Sequence, residues 1–553
     1  MPTVLENAFP RLTEEEIDLL SPLSICEEYT DGQYVLKAGD EGADLIVVKS
    51  GLLDIVNPAD NNKIVATHEA GNFSGDIDLL TRRPIIISGI ARGKIQVLRV
   101  LSEKLSELLI KIPRISEKLI VAFQTRRELF LQAHKLGIRV VGPGRCKITT
   151  LVREFLYRNF VPFSWYDPET KEGKEIYLSL GSPEKLPVVD CLGKVLSQPT
   201  LHELATAARI WRCFYNTTVD LAVVGAGPAG MTAAVYAASE GLSTLVLDWI
   251  GPGGQTGGSS MIENFIGFPS GISGRDLALR SVIQMLKFGA QLYAPVAITK
   301  IIPSDTTGGY HTLVLDCGAS VKAKIVLIAT GMDWRKLEAE GVQRFERAGI
   351  YYACTSIEAV LHEHADVGVV GAGNSAGQAA VYLADCCPGR KVHIFARGKL
   401  GPNMSQYLVE RILAHSDIVV HENTVITTII GDTSIEEIEI DHQGERSKLP
   451  VTAIFVFIGA DPGANWLPDS IARDENGFIL TGAEALQSGK WPLKDRPPCS
   501  SETTIPGVLA AGDVRSGSTK RVGFAVGDGS QSVACVHEIL ALQQSGAEIP
   551  VSS

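Results

Sequence analysis

Hydrophobic positions along this chain fall into two rhythms. From residue 1 to about 130 they come as short alternating runs, broken by turn signals at Asp31-Gly32 and at residues 38–42, 49–51 and 69–71. A helical stretch at residues 13–20 precedes these runs, and an amphipathic helical stretch at residues 102–130 follows them. Period-two alternation between glycine turns predicts a small β-barrel or jelly roll. From about residue 218 onward, β-branched runs each lead into a glycine loop and an alanine-rich helix, the rhythm of a parallel sheet with helices on its faces. Between these regions, residues 137–141 and 163–167 read as strands, 150–159 as a helix and 185–190 as a third strand, before Gly193 and a closing helix.

The glycine loops bring in chemistry. Residues 220–224 form a strand that leads into Gly225-Ala226-Gly227-Pro228-Ala229-Gly230, then helix 231–238, then a strand at 244–247 ending in Asp248. Strand, turn, helix, strand and an acid roughly 20 residues past the glycines is the dinucleotide-binding order. The glycines let the backbone approach a pyrophosphate, whose charge sits at the helix N-terminus. Asp248 is expected to accept from ribose hydroxyls. The bland reading of one such loop is a glycine turn in an ordinary doubly wound domain. A second loop, Gly371-Ala372-Gly373-Asn374-Ser375-Ala376, follows the strand at 367–370, and the next strand, 391–395, ends at Ala396-Arg397-Gly398. Two loops on one chain predict electron transfer between two dinucleotides.

Further motifs sharpen this. Gly251-Pro252-Gly253-Gly254-Gln255, residues 262–271 with Glu263-Asn264, and Ala510-Ala511-Gly512-Asp513-Val514 occur in that order. With the first loop they resemble the low-molecular-weight thioredoxin reductase family over residues 218–545. The resemblance implies FAD as first cofactor, with Gly254, Gln255 and Asn264 along the flavin and Asp513 on the ribityl chain. It also carries FAD contacts to Val296, Thr330, Gly331, Gly512, Arg521 and Val522. Ala329-Thr330-Gly331 with Arg335, and residues 458–462, match the family's crossover segments into an inserted NADPH domain. There the family has His-Arg-Arg for the 2′-phosphate, and this chain keeps one arginine, Arg397. NADPH is favoured over NADH on that basis, and a solvated charge at a strand end is the alternative.

The cysteines depart from the family. Ten are present and no two are separated by two residues. Where the family keeps Cys-Ala-Thr-Cys, this chain reads Ala353-Cys354-Thr355-Ser356, so Ala353 and Ser356 stand at the thiol positions. A paired thiolate and disulfide beside the flavin are what such a pair supplies. Cys354 is expected to be a small buried residue, with a mixed disulfide as the alternative. Cys386 and Cys387 read as structural, and the set as thiols of a reducing compartment.

The N-terminal barrel resembles the cyclic-nucleotide-binding module of catabolite-activator-type regulators, with residues 73–88 as its phosphate cassette. The family's ribose-binding Glu is Asp76 here, and its phosphate-binding Arg after the proline is Ile85. Ordinary cyclic AMP binding is therefore not expected unless Arg82 or Arg83 substitutes. The barrel reads either as a degenerate dimerisation or lid domain, or as a site for a non-standard anionic ligand. The segment after it resembles a glutaredoxin, with Pro187 at the family's cis-proline position and Cys146-Lys147-Ile148-Thr149 as a monothiol motif. A thiol at a helix N-terminus beside Arg145 and Lys147 is expected to have a lowered pKa, which makes Cys146 the candidate catalytic thiol. A passive surface thiol on a relic scaffold is the equal alternative.

Length and charge bound the rest. With 553 residues, 21% charged, a net charge of −12 and mean hydropathy +0.13, the chain reads as a multidomain soluble protein. The acidic balance argues against a nucleic-acid partner. No apolar run suggests a membrane span and no leader pattern is seen at Met1, so the cytoplasm is the default. No metal site is assigned.

The expected fold is α/β: a barrel at 1–132, a thioredoxin-like domain at 136–212, and a Rossmann-like FAD domain at 217–340 and 458–553. A Rossmann-like NAD(P) domain at 341–457 is inserted into the FAD domain. The expected function is an FAD-dependent oxidoreductase that takes hydride from NADPH or NADH and passes electrons to a small-molecule or protein acceptor. In the resembling reductases the NADPH domain rotates to alternate nicotinamide and dithiol at the flavin. The competing readings are a redox sensor acting through the barrel, and a thiol–disulfide reductase using Cys146 or Cys354 singly. The resemblance implies a homodimer.

Overall fold

The computed structural model describes residues 3–544, apart from 41, 59–60, 82, 133–136, 192, 211–216, 305, 307 and 433. Arg82 and Cys213 therefore lie outside the described residues.

Two short helices open the chain, α1 (Val4–Ala8) and α2 (Glu14–Leu20), each started by a capping box, Thr3 with Glu6 and Thr13 with Glu16. The barrel strands are β1 (Ser24–Tyr29), β2 (Tyr34–Leu36), β3 (Leu45–Asn57), β4 (Lys63–His68) and, after the short helix α3 (Asp78–Thr81), β5 (Ser88–Val100). They pair antiparallel in the order β1-β5-β3-β4, with β2 also on β5. The turn expected at residues 49–51 is instead a bulge inside β3, with register shifts on both sides of Ser50. Gly51 sits there at φ 89°, with Lys94 O so close that a side chain would have no room. The single helix expected over 102–130 is two, α4 (Ser102–Lys111) and α5 (Pro113–Gln132). Pro113 lacks an N–H and turns Ile112 out of helical geometry.

The next segment runs β6 (Ile138–Val141), α6 (Lys147–Arg158), β7 (Phe163–Tyr166), α7 (Lys171–Ser179), β8 (Val188–Cys191), β9 (Lys194–Ser197) and α8 (Leu201–Ala207). Its sheet has the order β7-β6-β8-β9, with β6 and β7 parallel and the other pairs antiparallel. The third strand begins at Val188 rather than 185, after a cis Leu186–Pro187 bond. Helix α7 and strand β9 are not anticipated by the sequence pattern.

The first dinucleotide unit is β10 (Thr217–Val224), α9 (Pro228–Ser239), β11 (Thr244–Leu247), α10 (Gly274–Lys287), β12 (Gln291–Tyr293), β13 (Ile298–Ile302), β14 (His311–Leu315) and β15 (Ser320–Ile328). The strand pair β16 (Met332–Trp334) and β25 (Ala460–Pro462) then carries the chain out and back, locked by Arg335 Nε donating to Asp461 at 2.8 Å. Between them lie α11 (Val342–Phe345), β17 (Ile350–Tyr351), α12 (Ser356–Leu361), β18 (Val367–Val370), α13 (Asn374–Cys386), β19 (Val392–Phe395), α14 (Gln406–Ala414) and β20 (Ile418–His421). A meander, β21 (Thr424–Ile430), β22 (Glu437–His442) and β23 (Glu445–Leu449), precedes β24 (Ala453–Val456). The inserted parallel sheet has the order β17-β24-β18-β19-β20.

After α15 (Gly482–Gln487), β26 (Val508–Ala510) returns to pair with β15, and α16 (Val522–Gln544) packs along α9. The first sheet thus reads β12-β11-β10-β15-β14-β13, with β26 on β15. One apolar core joins Phe73 and Phe123 of the barrel to Ala233 of α9 and Leu279 of α10. Apolar burial of this kind is the main stabilising force between packed units, so barrel and reductase share one core.

Candidate functional site

A cleft of about 590 Å³ opens where the chain leaves the C-terminal ends of β10, β11 and β15. Gly225 takes φ 106°, and a side chain there would collide with Ala329 O, 2.4 Å from the Cβ position. Gly230 lies behind the turn, where a Cβ would meet Gly225 O at 2.0 Å, so α9 closes hard on its own loop. Gly227, Pro228 and Ala229 line the cleft at the start of α9, so the free N–H groups of that helix end face the cavity. Asp248 directly follows β11. It lines the cleft, but its buried carboxylate accepts from Ala226 N at 2.9 Å, Ile250 N at 3.1 Å and Gly251 N at 2.9 Å. It braces the glycine loop from the wall of the cleft.

The far wall comes from the C-terminal part of the chain. Gly512 and Asp513 line it from the turn after β26, and Arg521 and Val522 from the start of α16. Asp513 Oδ1 is buried with no hydrogen-bond partner among the described residues, and burial raises its carboxyl pKa against the pull of Lys520. Lys520 Nζ donates to Asp513 O at 2.6 Å and lies 4.0 Å from the Phe478 ring centre. Along the middle, Gln255 Nε2 donates to Met332 O at 2.5 Å, and Thr330 Oγ1 to Gly463 O at 2.9 Å. Gly254, Asn264, Val296 and Gly331 complete the expected lining. Two helix N-termini, an unsatisfied acceptor and a long cavity suit a dinucleotide: Gly227 to Ala229 for the pyrophosphate, Asp513 for a sugar hydroxyl.

The second glycine loop reaches the same cleft. Asn374 and Ser375 line it together with Gln378. Asn374 Oδ1 also accepts from Ser405 N at 2.7 Å, which fixes the loop against the start of α14. Gly371, at φ 141°, presses on Phe457 O, Gly373 caps α13, and Ala376 is fully buried behind them. These three shape the loop without lining the cavity. Arg397 is exposed just past β19, clear of the cleft.

Sequence reasoning missed Arg158, Trp249, Met332, Trp334 and Lys520, which also line the cleft. Arg158 belongs to α6 of the preceding segment and donates to Gly254 O at 2.7 Å. The same helix reaches the inserted domain through Glu154 and Arg347, 2.5 Å apart. Asn159 Nδ2 donates to Ile250 O at 2.7 Å. No local pattern announces such contacts, because they join residues far apart in the chain.

Among the described residues, no cysteine lines the cleft. The Ala353 methyl lies against Gly258, 3.0 Å from where a Cβ would stand there. Cys354 is buried, and burial with the nearby Glu358 carboxylate raises its thiol pKa well above the ordinary value. The side chain of Ser356 lies outside the described residues. Cys386 and Cys387 sit with sulfurs 3.5 Å apart and unbonded. Reading every cysteine as a free thiol needs correction: Cys499 and Cys535, distant in sequence, form a disulfide between the loop before β26 and α16. Cys146 is the partly exposed N-cap residue of α6 and does not line the cleft. Thr149 and Pro187 both close on Gly142, where a Cβ would meet them at 2.6 and 2.8 Å.

The model of the pyridine nucleotide-disulphide oxidoreductase family matches residues 219–529, which contain both glycine loops and the Asp513 turn. The chain belongs to that family. The family's cofactors are FAD and NADPH, and the protein is an NAD(P)H-dependent flavoprotein oxidoreductase of the thioredoxin and alkyl hydroperoxide reductase type. A cyclic nucleotide-binding domain model matches residues 26–111. The chain is 31% identical over 322 residues to a thioredoxin reductase of Mycoplasma genitalium, covering 58% of this chain and 94% of that protein. It is 32% identical over 315 residues to the enzyme of Listeria innocua, covering 56% and 90%. Against an alkyl hydroperoxide reductase protein of Staphylococcus aureus it is 29% identical and spans 62% of that protein's length. The solved thioredoxin reductases of Lactococcus lactis (FR conformation) and T. acidophilum superpose with TM-score 0.52, at 28% and 26% identity. Each match covers 59% of this chain, and 99% and 100% of those structures. Among the described residues, no helix is long and apolar enough to cross a membrane.

Proposed function

We propose that the protein moves electrons from NADPH through FAD to a diffusible acceptor that meets the flavin directly, with no dithiol relay in the reductase core. The carrying observation is Ala353 against Gly258: the thiol position of the related reductases is filled by a methyl group that packs beside the flavin segment. Bound FAD and NADPH supply the hydride chemistry. The chain's own residues bind and orient. Gly227 and Ala229 present backbone N–H groups to a pyrophosphate, Asp513 Oδ1 accepts from a sugar hydroxyl, and Gln255 is held in place by Met332 O. Asn374 and Ser375 bring the nicotinamide domain to the same cleft.

Residues 136–212 are read as a thioredoxin-like module used as a strut. Helix α6 holds Gly254 O through Arg158 and the inserted domain through Glu154 and Arg347, contacts that favour one standing arrangement of the two domains. Cys354, buried with a raised pKa, offers no thiolate.

The test is NADPH oxidation with 1,4-benzoquinone and, separately, with an aromatic disulfide as acceptor. Quinone turnover unaffected in Cys146→Ser and Cys354→Ser, with negligible disulfide reduction, is expected. Disulfide reduction abolished by either substitution would refute the proposal. For donor choice, Arg397→Ala is expected to raise KM for NADPH about tenfold or more and leave that for NADH unchanged, the loss of one charge-assisted phosphate contact. Equal effects on both donors would remove Arg397 from 2′-phosphate binding.

A further inference from the structure

The barrel encloses a second cavity, of about 310 Å³, between its strands, α1 and the end of α5. Its walls are apolar, with Leu36, Ile55, Val65, Ile85, Ile86 and Ile87 prominent. Set into this lining is Arg126 of α5, 5% exposed. Its Nε donates to Ala8 O and its Nη1 to Gly75 O, each at 2.7 Å. Its guanidinium lies 4.8 Å from the Phe73 ring centre and 5.2 Å from that of Phe9. Among the described residues, Nη2 has no hydrogen-bond partner and no carboxylate forms an ion pair with this arginine. Asp76 is within electrostatic reach but is held by Arg127, so the guanidinium keeps a buried N–H donor at Nη2 that an oxygen acceptor would satisfy.

Three acids, Asp44, Asp76 and Asp78, also line the cavity, and each is engaged by an arginine. Asp76 and Asp78 both pair with Arg127, at 2.7 and 2.6 Å. Asp44 pairs with Arg99 at 3.3 Å. Arg83, one of the two arginines that would have to substitute for the phosphate ligand, donates to Asn159 O at 2.6 Å. Ile85 occupies the wall where the family arginine would stand. A cyclic nucleotide would therefore lose its ribose partner to Arg127 and meet isoleucine where its phosphate needs a cation. His68 also lines the cavity, and its Nδ1 is buried without a partner among the described residues.

From this arrangement we infer that the barrel is a binding site for a small amphiphilic carboxylate, its acid group on Arg126 and its apolar tail or ring against the isoleucine wall. One planar guanidinium suits one carboxylate, and a largely apolar cavity of this size with a few convergent polar groups suits a small, mostly apolar ligand.

The test is calorimetric titration of the full-length, FAD-loaded protein with sodium octanoate, octan-1-ol and cyclic AMP. Octanoate is expected to bind once per chain, about tenfold or more tighter than octanol, the difference made by a hydrogen bond to a charged group. Cyclic AMP is expected to give no saturable heat. Arg126→Met should erase the preference for octanoate over octanol, and Ala66→Phe, which fills the cavity, should weaken both. If Arg126→Met does not fold, the octanoate–octanol comparison and Ala66→Phe decide alone. Failure of octanoate to saturate at millimolar concentration, unchanged binding in the folded variants, or preferential binding of cyclic AMP would each overturn the inference.

Discussion

Gly227→Asp is expected to give a folded but colourless protein. The nearest atom to a Cβ at this position is Gly254 Cα at 3.9 Å, and the backbone is extended at φ −77°, so a side chain enters without collision. What changes is charge. A carboxylate at the start of α9 stands where the pyrophosphate is received. Two like charges about 4 Å apart at an effective dielectric near 20 repel by about 4 kcal/mol, roughly a thousandfold in affinity. Flavin absorbance per protein after purification, with circular dichroism as the fold control, reads the result. A yellow variant with undiminished flavin content would mean that the first loop does not hold the pyrophosphate.

Arg127→Met is expected to destabilise the barrel by about 3–5 kcal/mol, the cost of breaking a buried pair. Arg127 is 1% exposed, pairs with both Asp76 and Asp78, and donates to Phe160 O at 3.3 Å, which ties barrel to strut. Without it two carboxylates stay buried side by side. In the native protein burial already pushes the Asp76 carboxyl up to about 6, against the pull of Arg127 and with an added push from Asp78. A carboxyl raised above its unfolded value stabilises the fold fully only below about pH 4, and that stability is lost as pH rises through the folded pKa. The variant's deficit should therefore be smallest near pH 4 and grow through pH 6 and above. Thermal melts across that range would show it; a deficit independent of pH would mean that the two acids are not what Arg127 neutralises.

Local signals carry most of the reductase core. Both glycine loops, the acid after β11 and the two crossover segments are short motifs that occur in a fixed order along the chain, so they are legible in the residue order alone. The cleft residues that no motif marks, Arg158 and Lys520 among them, depend on how distant segments dock. For Asp248 the position is legible and the full role is not, because backbone amides that complete a carboxylate's shell leave no trace in a residue pattern. The disulfide between Cys499 and Cys535 escapes for the same reason: no spacing rule pairs a loop with the middle of a long helix. In the barrel, the loss of the cassette arginine at Ile85 is visible. Its counterpart is not, since Arg126 comes from α5, past the Pro113 break, and points inward only because α5 packs across the barrel mouth.

Direct electron transfer from the flavin is tested most simply by anaerobic titration of the FAD-loaded protein with NADPH while following flavin absorbance. With no dithiol in the relay, one equivalent of NADPH per FAD should complete the bleaching, and Cys146→Ser and Cys354→Ser should titrate identically. Uptake of a second equivalent before bleaching is complete, lost in either cysteine variant, would contradict the proposal and restore a thiol to the path.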